Sequence, residues 1–180
     1  SVSVTNIYIH DITTNGTANV FALAAATGDD GPGTSEDIDV SITNVTVSNI
    51  TGDSNVFAIV TGAGMYSNGA GTGAAHTTVS NATITNVYSR AGPAGGIIIP
   101  SIGLGSHDAT AEISNVTMNN IAGNLHSPLF GGTSSVGLLA LAGGFIDGQH
   151  YTIDIHSTNV VTTATDLVCS TADVSSTVFG

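Results

Sequence analysis

Five carboxylates lie in one eleven-residue segment, positions 29–39, which also contains glycine and proline. Calcium takes several oxygen ligands from flexible backbone, so this segment is a candidate calcium site. The spacing of the acidic residues fits no defined calcium-binding loop, and a solvated acidic loop explains the same composition. Both interpretations stay open, and the sequence predicts no other cofactor. The candidate ligands are Asp29, Asp30, Glu36, Asp37 and Asp39.

Five asparagines begin Asn-X-Ser/Thr triplets, which mark acceptor sites for N-linked sugars on the surface of secreted proteins. Three of them, Asn44, Asn81 and Asn115, recur at one position of an internal repeat, and that role explains them without a sugar. Asn15 lies in a turn outside this position and is therefore the best glycosylation candidate. The fifth triplet begins at Asn49.

The side chains that usually carry catalysis form no recognisable constellation in this sequence. Six histidines are present, but none belongs to a His-Glu-X-X-His zinc motif. We interpret the adjacent pairs His10–Asp11 and His107–Asp108 as turn or loop residues. The chain also lacks a Gly-X-Ser-X-Gly nucleophile elbow and a phosphate-binding loop. We therefore predict that the protein is not an enzyme.

The single cysteine, Cys169, has no partner for a disulfide within the chain. It belongs to the short apolar run 167–169, where it fits a buried strand residue, because unpaired cysteine behaves as a small apolar side chain. The alternative is a free thiol or a crosslink between chains.

The elements that position these residues come from a repeat that occurs four times without gaps and once in degenerate form. Its first Asn stands at 6, 44, 81 and 115, with Ser157 in the fifth copy, at intervals of 38, 37, 34 and 42 residues. A second Asn-type residue follows five positions later in the strict copies, at 11, 49, 86 and 120. Apolar residues fall at offsets −4, −2, +1, +3 and +6 from the first Asn. This alternation predicts strands with one buried face, and its breaks predict bends at Asn, which tolerates left-handed backbone.

A second apolar run and a glycine-rich return follow in each copy, so each repeat contains about three strand segments. The runs are 20–23, 56–60, 97–99, 129–130 and 167–169. We predict one all-β domain over 1–180, a β-solenoid of the right-handed parallel β-helix type with about five rungs of roughly 37 residues. Stacked rungs would bring the asparagines into amide ladders. One ladder would contain Asn6, Asn44, Asn81 and Asn115, and the other Asn49, Asn86 and Asn120.

The composition excludes several classes of partner. Charged residues make up 8% of the chain, with one Arg, no Lys and a formal net charge of −12. Nucleic acids and anionic membrane surfaces both require clustered Lys or Arg. No apolar run is long enough for a membrane-spanning helix, and we expect a mature, processed product of a secreted protein. Strand edges without Lys are open to pairing with other strands.

The Asn-cornered repeat resembles the rungs of right-handed parallel β-helices of the pectate-lyase type, which carry similar asparagine ladders. This resemblance covers about half of each repeat and implies architecture only, because the chain lacks a matching active-site motif. The composition, rich in Gly, Ser, Thr, Asn and Ala, also resembles extracellular structural proteins that polymerise, such as archaeal sheath or surface-filament subunits. That second resemblance implies a self-assembling layer on the cell surface.

We therefore expect a structural subunit that forms a homopolymer through its strand edges, in an extracellular sheath, filament or surface layer. One alternative is a cell-surface binding module, either an adhesin-like carbohydrate binder or an ice binder. It depends on hydroxyl pairs at outward positions, Thr46 with Ser48 and Thr83 with Thr85. Another alternative is a β-helix carbohydrate-active enzyme, for which glycan turnover dependent on Asp108 would be required.

Overall fold

A computed structural model describes residues 1–28, 37–66, 73–99, 109–124, 135–140, 153–163 and 174–175. These residues form ten strands and no helix, which confirms the prediction of an all-β chain. The described part accordingly contains no helix that could span a membrane.

The ten strands form two parallel sheets of five strands each. The long sheet has the order β1-β3-β5-β7-β9, and the short sheet has the order β2-β4-β6-β8-β10. The chain therefore passes from one sheet to the other after every strand. In chain order the strands are β1 Val2–Thr13, β2 Val20–Gly28, β3 Ile38–Gly52, β4 Val56–Tyr66, β5 Ala75–Ser89, β6 Ala94–Ile99, β7 Ala109–Ala122, β8 Ser135–Ala140, β9 Ile153–Thr163 and β10 Val174–Ser175.

Strands of the long sheet pair in the register that the repeat predicts. Val40 of β3 lies between Val2 of β1 and Thr77 of β5, all at the same offset from the first Asn of their copies. The backbone pairing leaves out only the corner positions, such as Asn44 and Asn49, and resumes after each of them. Because the pairing continues past both corners, each copy has one long bent strand and one short strand, where three segments were expected.

The core lies between the two sheets and consists mainly of aliphatic side chains. In β3, the five residues at the predicted apolar offsets are at most 1% exposed. Burial of each such side chain contributes about 1.5–3 kcal/mol to folding, so the alternation fixes which face of the strand points inward. The five are Val40, Ile42, Val45, Val47 and Ile50. The short sheet contributes fully buried residues such as Ile59, Ile97 and Ile99.

The predicted corners are left-handed in the structure. Among the residues that the structure describes, nine that are not glycine have positive φ, between 52° and 58°, and every one is Asn or Asp. A short polar side chain tolerates this conformation better than others, which explains the choice of residue. The nine are Asn6, Asp11, Asn44, Asn49, Asn81, Asn86, Asn115, Asn120 and Asn159.

The assignment of Ser157 to the corner of the fifth copy is wrong. Asn159 has the left-handed backbone, and its neighbours Thr158 and Val160 pair with Ser114 and Val116 of β7. Strand alternation repeats every two residues, so an alignment on apolar residues alone is ambiguous by two. The corner Asn removes that ambiguity and sets the last interval at 44 residues.

The fourth strand of the short sheet is also displaced from its predicted position. It is β8, Ser135–Ala140, in which Leu138 and Leu139 pair with Ile97 and Ile98 of β6. The apolar runs 129–130 and 167–169, the second of which contains Cys169, lie outside the described residues. This region of the sequence contains several short apolar runs, each of which could form the strand, and only the pairing with β6 determines which of them does so.

Candidate functional site

The first corner position of each copy forms an amide ladder along the outside of the long sheet. Each Nδ2 donates a hydrogen bond to the Oδ1 of the corner Asn in the preceding copy, over 3.1–3.2 Å. The column therefore runs through five copies, one more than was predicted. Its members are Asn6, Asn44, Asn81, Asn115 and Asn159.

The second corner position forms a parallel ladder that begins with a carboxylate. Asn120 donates to Asn86, Asn86 to Asn49, and Asn49 to Oδ1 of Asp11, over 2.8–2.9 Å. The other carboxylate oxygen of Asp11 accepts a 2.8 Å hydrogen bond from Nδ1 of His10. The hydrogen bonds from His10 and then Asn49 hold the pKa of Asp11 below its ordinary value. The ladder thus ends in a group that is ionised at neutral pH and only accepts.

Both ladders are directional, because every Nδ2 points toward the preceding copy. At one end of the first ladder, Oδ1 of Asn6 accepts a hydrogen bond from Asn44, whereas its Nδ2 donates to none of the described residues. At the other end, Nδ2 of Asn159 donates to Asn115, whereas its Oδ1 accepts from none of the described residues. The first ladder therefore presents a donor beside β1 and an acceptor beside β9.

The outer edges of β1 and β2 form a surface that we call the β1–β2 edge. Neither strand pairs with another strand on this side among the described residues. Ile7 is 36% exposed, whereas Val45, its partner in β3, is 1% exposed. Phe21 is 48% exposed and stacks on Phe57, which is 8% exposed, with ring centroids 5.6 Å apart. Ile7 is thus open to solvent at a position that belongs to the core in the second copy, and Phe21 is open at a position that is buried there.

The only basic side chain joins three successive loops between the sheets. Arg90 forms an ion pair with Asp53, and its Nη2 donates to the Thr14 carbonyl and to Oδ1 of Asn15, over 2.8 and 2.7 Å. The remaining oxygen of Asp53 accepts from the Gly16 backbone N–H at 2.8 Å. Arg90, followed by Gly16, lowers the pKa of Asp53 below its ordinary value.

This cluster, which we call the Arg90 clamp, was missed at the level of sequence, although a signal exists. Asn15, Asp53, Arg90 and Asn124 each stand nine residues after the first Asn of their copies. Nδ2 of Asn124 donates to the Arg90 carbonyl at 2.8 Å, so the fourth copy joins the same column. The partners are polar groups of successive loops, and we assign the clamp a role in loop alignment.

The ladders engage the side-chain nitrogen of most of the glycosylation triplets. An N-linked sugar is attached to Nδ2, and in Asn44, Asn81 and Asn115 this atom donates within the first ladder. Asn49 is engaged in the same way in the second ladder. Asn15, the best candidate, is exposed, and its Oδ1 accepts a hydrogen bond from Arg90. This geometry is compatible with attachment of a sugar to Nδ2 of Asn15.

The candidate calcium ligands are only partly described. Asp29, Asp30 and Glu36 lie outside the described residues. Asp37 accepts a 2.9 Å hydrogen bond from the Ala74 backbone N–H, and Asp39 is exposed. Among the described residues no three His, Cys, Asp or Glu side chains come together as a metal site. Calcium binding stays a prediction.

The outward face of the long sheet carries hydroxyl groups in columns. Thr46, Thr83 and Thr117 occupy one register position of β3, β5 and β7. In β1 the same column begins with Tyr8, whose ring lies 4.8 Å from that of His10. His107 and Asp108 lie outside the described residues.

Comparisons of the chain with protein-family models, with curated proteins and with solved structures found no match. The architecture of two parallel sheets is compatible with a parallel β-helix, and the class that it defines is that of all-β proteins with parallel strands.

Proposed function

We propose that the chain is a β-solenoid, a right-handed parallel β-helix of about five rungs, and a structural subunit that self-assembles through its strand edges. The passage of the chain from one sheet to the other after every strand supports the coil. Its hand follows from the general preference of parallel crossover connections for right-handed coiling. The assembled form would be an extracellular sheath, filament or surface layer.

The observation that carries the proposal is the exposure, at the β1–β2 edge, of apolar positions that the second copy buries. Ile7 and Phe21 occupy positions that the neighbouring copy buries, and both lie beside unpaired strand edges. Such an edge gains both hydrogen bonds and apolar burial when a strand is added to it. A strand of another chain that paired with the outer edge of β1 would cover these side chains, as β3 covers the opposite edge of β1.

The distribution of charge supports the same proposal. Lys is the residue that most often protects strand edges from pairing, and this chain has none. The exposed apolar positions of the edge are accompanied by hydroxyls and by the His10–Asp11 pair, without Lys or Arg. The surface hydroxyls and amides suit an extracellular polymer, and we assign the chain no catalytic activity.

Sedimentation velocity over a range of concentrations tests the proposal. We expect species larger than the 17.8 kDa monomer at neutral pH, with a mean size that rises with concentration. Fibre diffraction of the assembled material should show the strand spacing of about 4.8 Å along its axis. A monomer at every concentration would contradict the proposal.

The hydroxyl columns support a second candidate, an ice-binding or carbohydrate-binding face. Thr46, Thr83 and Thr117 are held in register by backbone pairing, so their hydroxyls repeat at about 4.8 Å along the sheet. Thermal hysteresis that is lost in Thr83→Tyr would support the ice-binding form. Absence of ice-crystal shaping by the unmodified protein would remove it.

A further inference from the structure

We infer that the partner at the β1–β2 edge is a second copy of this chain, docked head to tail with the outer edge of its β9 against β1. This inference rests on the proposed self-assembly and specifies its contact. The contact joins two different surfaces of the molecule, so a copy that has bound one neighbour still offers its other edge to the next.

The polarity of the first ladder supports this arrangement. Beside β1 the ladder presents the Nδ2 donor of Asn6, and beside β9 it presents the Oδ1 acceptor of Asn159. When β9 of one copy lies parallel to β1 of the next, these two atoms meet in the geometry repeated four times within the chain. The amide ladder then continues across the contact without a change of direction.

The apolar positions agree with the same register. Val160, one residue after the corner of β9, is half-buried and packs against the core, and Ile7 holds the same offset in β1. Within the chain, residues at this offset stack on each other, as Ile7 does on Val45. Head-to-tail docking therefore places Ile7 over Val160 and buries the exposed side of both.

The alternative contact, β1 against β1 of another copy, does not fit these features. A two-fold dimer would make the two β1 strands antiparallel, so the first ladder could not continue across the contact in the parallel geometry that it has between the copies of one chain. A head-to-tail contact of unlike surfaces propagates instead, and about five rungs at 4.8 Å give an advance of roughly 24 Å per copy.

Asp11 shows that an aspartate can occupy a corner position, which suggests a substitution at Asn6. It occupies a left-handed corner, accepts from Asn49 as an Asn would, and has no side-chain N–H to donate outward when ionised. Asn6→Asp should therefore keep the corner and the hydrogen bond from Asn44 while removing the donor at the contact. We expect it to weaken association by about tenfold or more, with an unchanged melting temperature at concentrations where both proteins are monomeric.

A mixing experiment tests the pairing of edges directly. Ile7→Lys places a charge on the β1 edge, and Val160→Lys places one on the β9 edge. We expect each variant alone to sediment as a monomer, and the mixture to form one-to-one dimers through the two unmodified edges. The circular dichroism spectrum of each variant establishes that it is folded.

The outcomes separate this inference from the function on which it rests. If the unmodified chain is monomeric, the proposed assembly and the inference both fail. If it assembles but Val160→Lys alone still dimerises, or Asn6→Asp associates as well as the unmodified chain, the head-to-tail contact is wrong while self-assembly stands. Dimers that form only in the mixture support the inference.

Discussion

The corner asparagines carry two separable demands, a left-handed backbone and a place in an amide ladder. Asn81 meets both, with φ of 53°, a donated hydrogen bond to Asn44 and an accepted one from Asn115. An alanine loses both features, whereas a glycine loses only the ladder. The two substitutions therefore measure the two demands separately.

We expect Asn81→Ala to lower the free energy of unfolding by about 2–5 kcal/mol. About 1–2 kcal/mol comes from the left-handed backbone, and the remainder comes from two exposed hydrogen bonds of about 0.5–1.5 kcal/mol each. Asn81→Gly should cost about half as much. Denaturant unfolding of both variants measures the difference, and equal losses would show that the backbone conformation contributes nothing.

The Arg90 clamp predicts a response to acid. Arg90 lowers the pKa of Asp53 below its ordinary value of 3.8, so the folded state favours the ionised carboxylate more than the unfolded chain does. This contribution is fully present above the unfolded pKa and is lost as the pH falls through the lower folded pKa. Acidification below about pH 4 should therefore reduce the stability of the unmodified chain.

Arg90→Gln removes the cause of that shift and provides the comparison. We expect this variant to be less stable at neutral pH and to lose less further stability on acidification than the unmodified chain. Denaturant unfolding at neutral pH and at about pH 3 measures both quantities. Asp11, which His10 and Asn49 hold below its ordinary pKa, remains intact in both proteins and serves as an internal reference. Identical acid responses would contradict a role for the ion pair.

At the scale of the elements, the long sheet was predictable because each of its strands carries two independent signals. Alternation identifies the buried face, and the corner Asn fixes the register, as in the pairing of Val45 with Ala82. In the fifth copy, alternation alone predicts the corner at Ser157, two residues before the true corner at Asn159. The strand signal has a period of two and cannot correct that error by itself.

The short sheet and the Arg90 clamp were less predictable, for physical reasons that differ. In the short sheet, β6 (Ala94–Ile99) is buried at every position and therefore shows no alternation, and none of the left-handed corner residues lies in this sheet. The Arg90 clamp joins residues 37 to 76 positions apart, so it emerges only when the copies are stacked. Both depend on tertiary pairing rather than on local pattern.

Close stacking of the loops between the sheets makes Gly92 a sensitive position. A Cβ added there would lie 2.5 Å from the carbonyl carbon of Ser54, a backbone atom of the preceding loop. Because backbone cannot move aside as a side-chain end can, we expect Gly92→Ala to destabilise the fold by about 1–3 kcal/mol. Ala91→Ser, at the exposed neighbouring position, is the matched control.

Denaturant unfolding of the two variants checks this prediction. The change should appear in the midpoint, with an unchanged slope, since the surface exposed on unfolding is the same. A Gly92→Ala protein as stable as Ala91→Ser would mean that the loops are not stacked as closely as the structure shows.

At the scale of the whole molecule, net charge opposes the assembly that the edges favour. The chain carries a formal charge of −12, and copies about 24 Å apart along a polymer would repel each other. Salt shortens the Debye length to about 3 Å at 1 M from about 30 Å at 0.01 M, which screens this repulsion. Apolar burial and backbone pairing at the contact are not weakened by the same screening.

We therefore expect association of the unmodified chain to strengthen by about tenfold or more between low and high sodium chloride, measured by sedimentation velocity. Ile7→Lys is the control, because a blocked β1 edge should remain monomeric at both salt concentrations. Its assembly at high salt would indicate non-specific aggregation instead. Association that weakens as salt is added would mean that ionic contacts hold the copies together. The exposed apolar positions of the β1–β2 edge, Ile7 and Phe21, would then not be the surface on which the polymer grows.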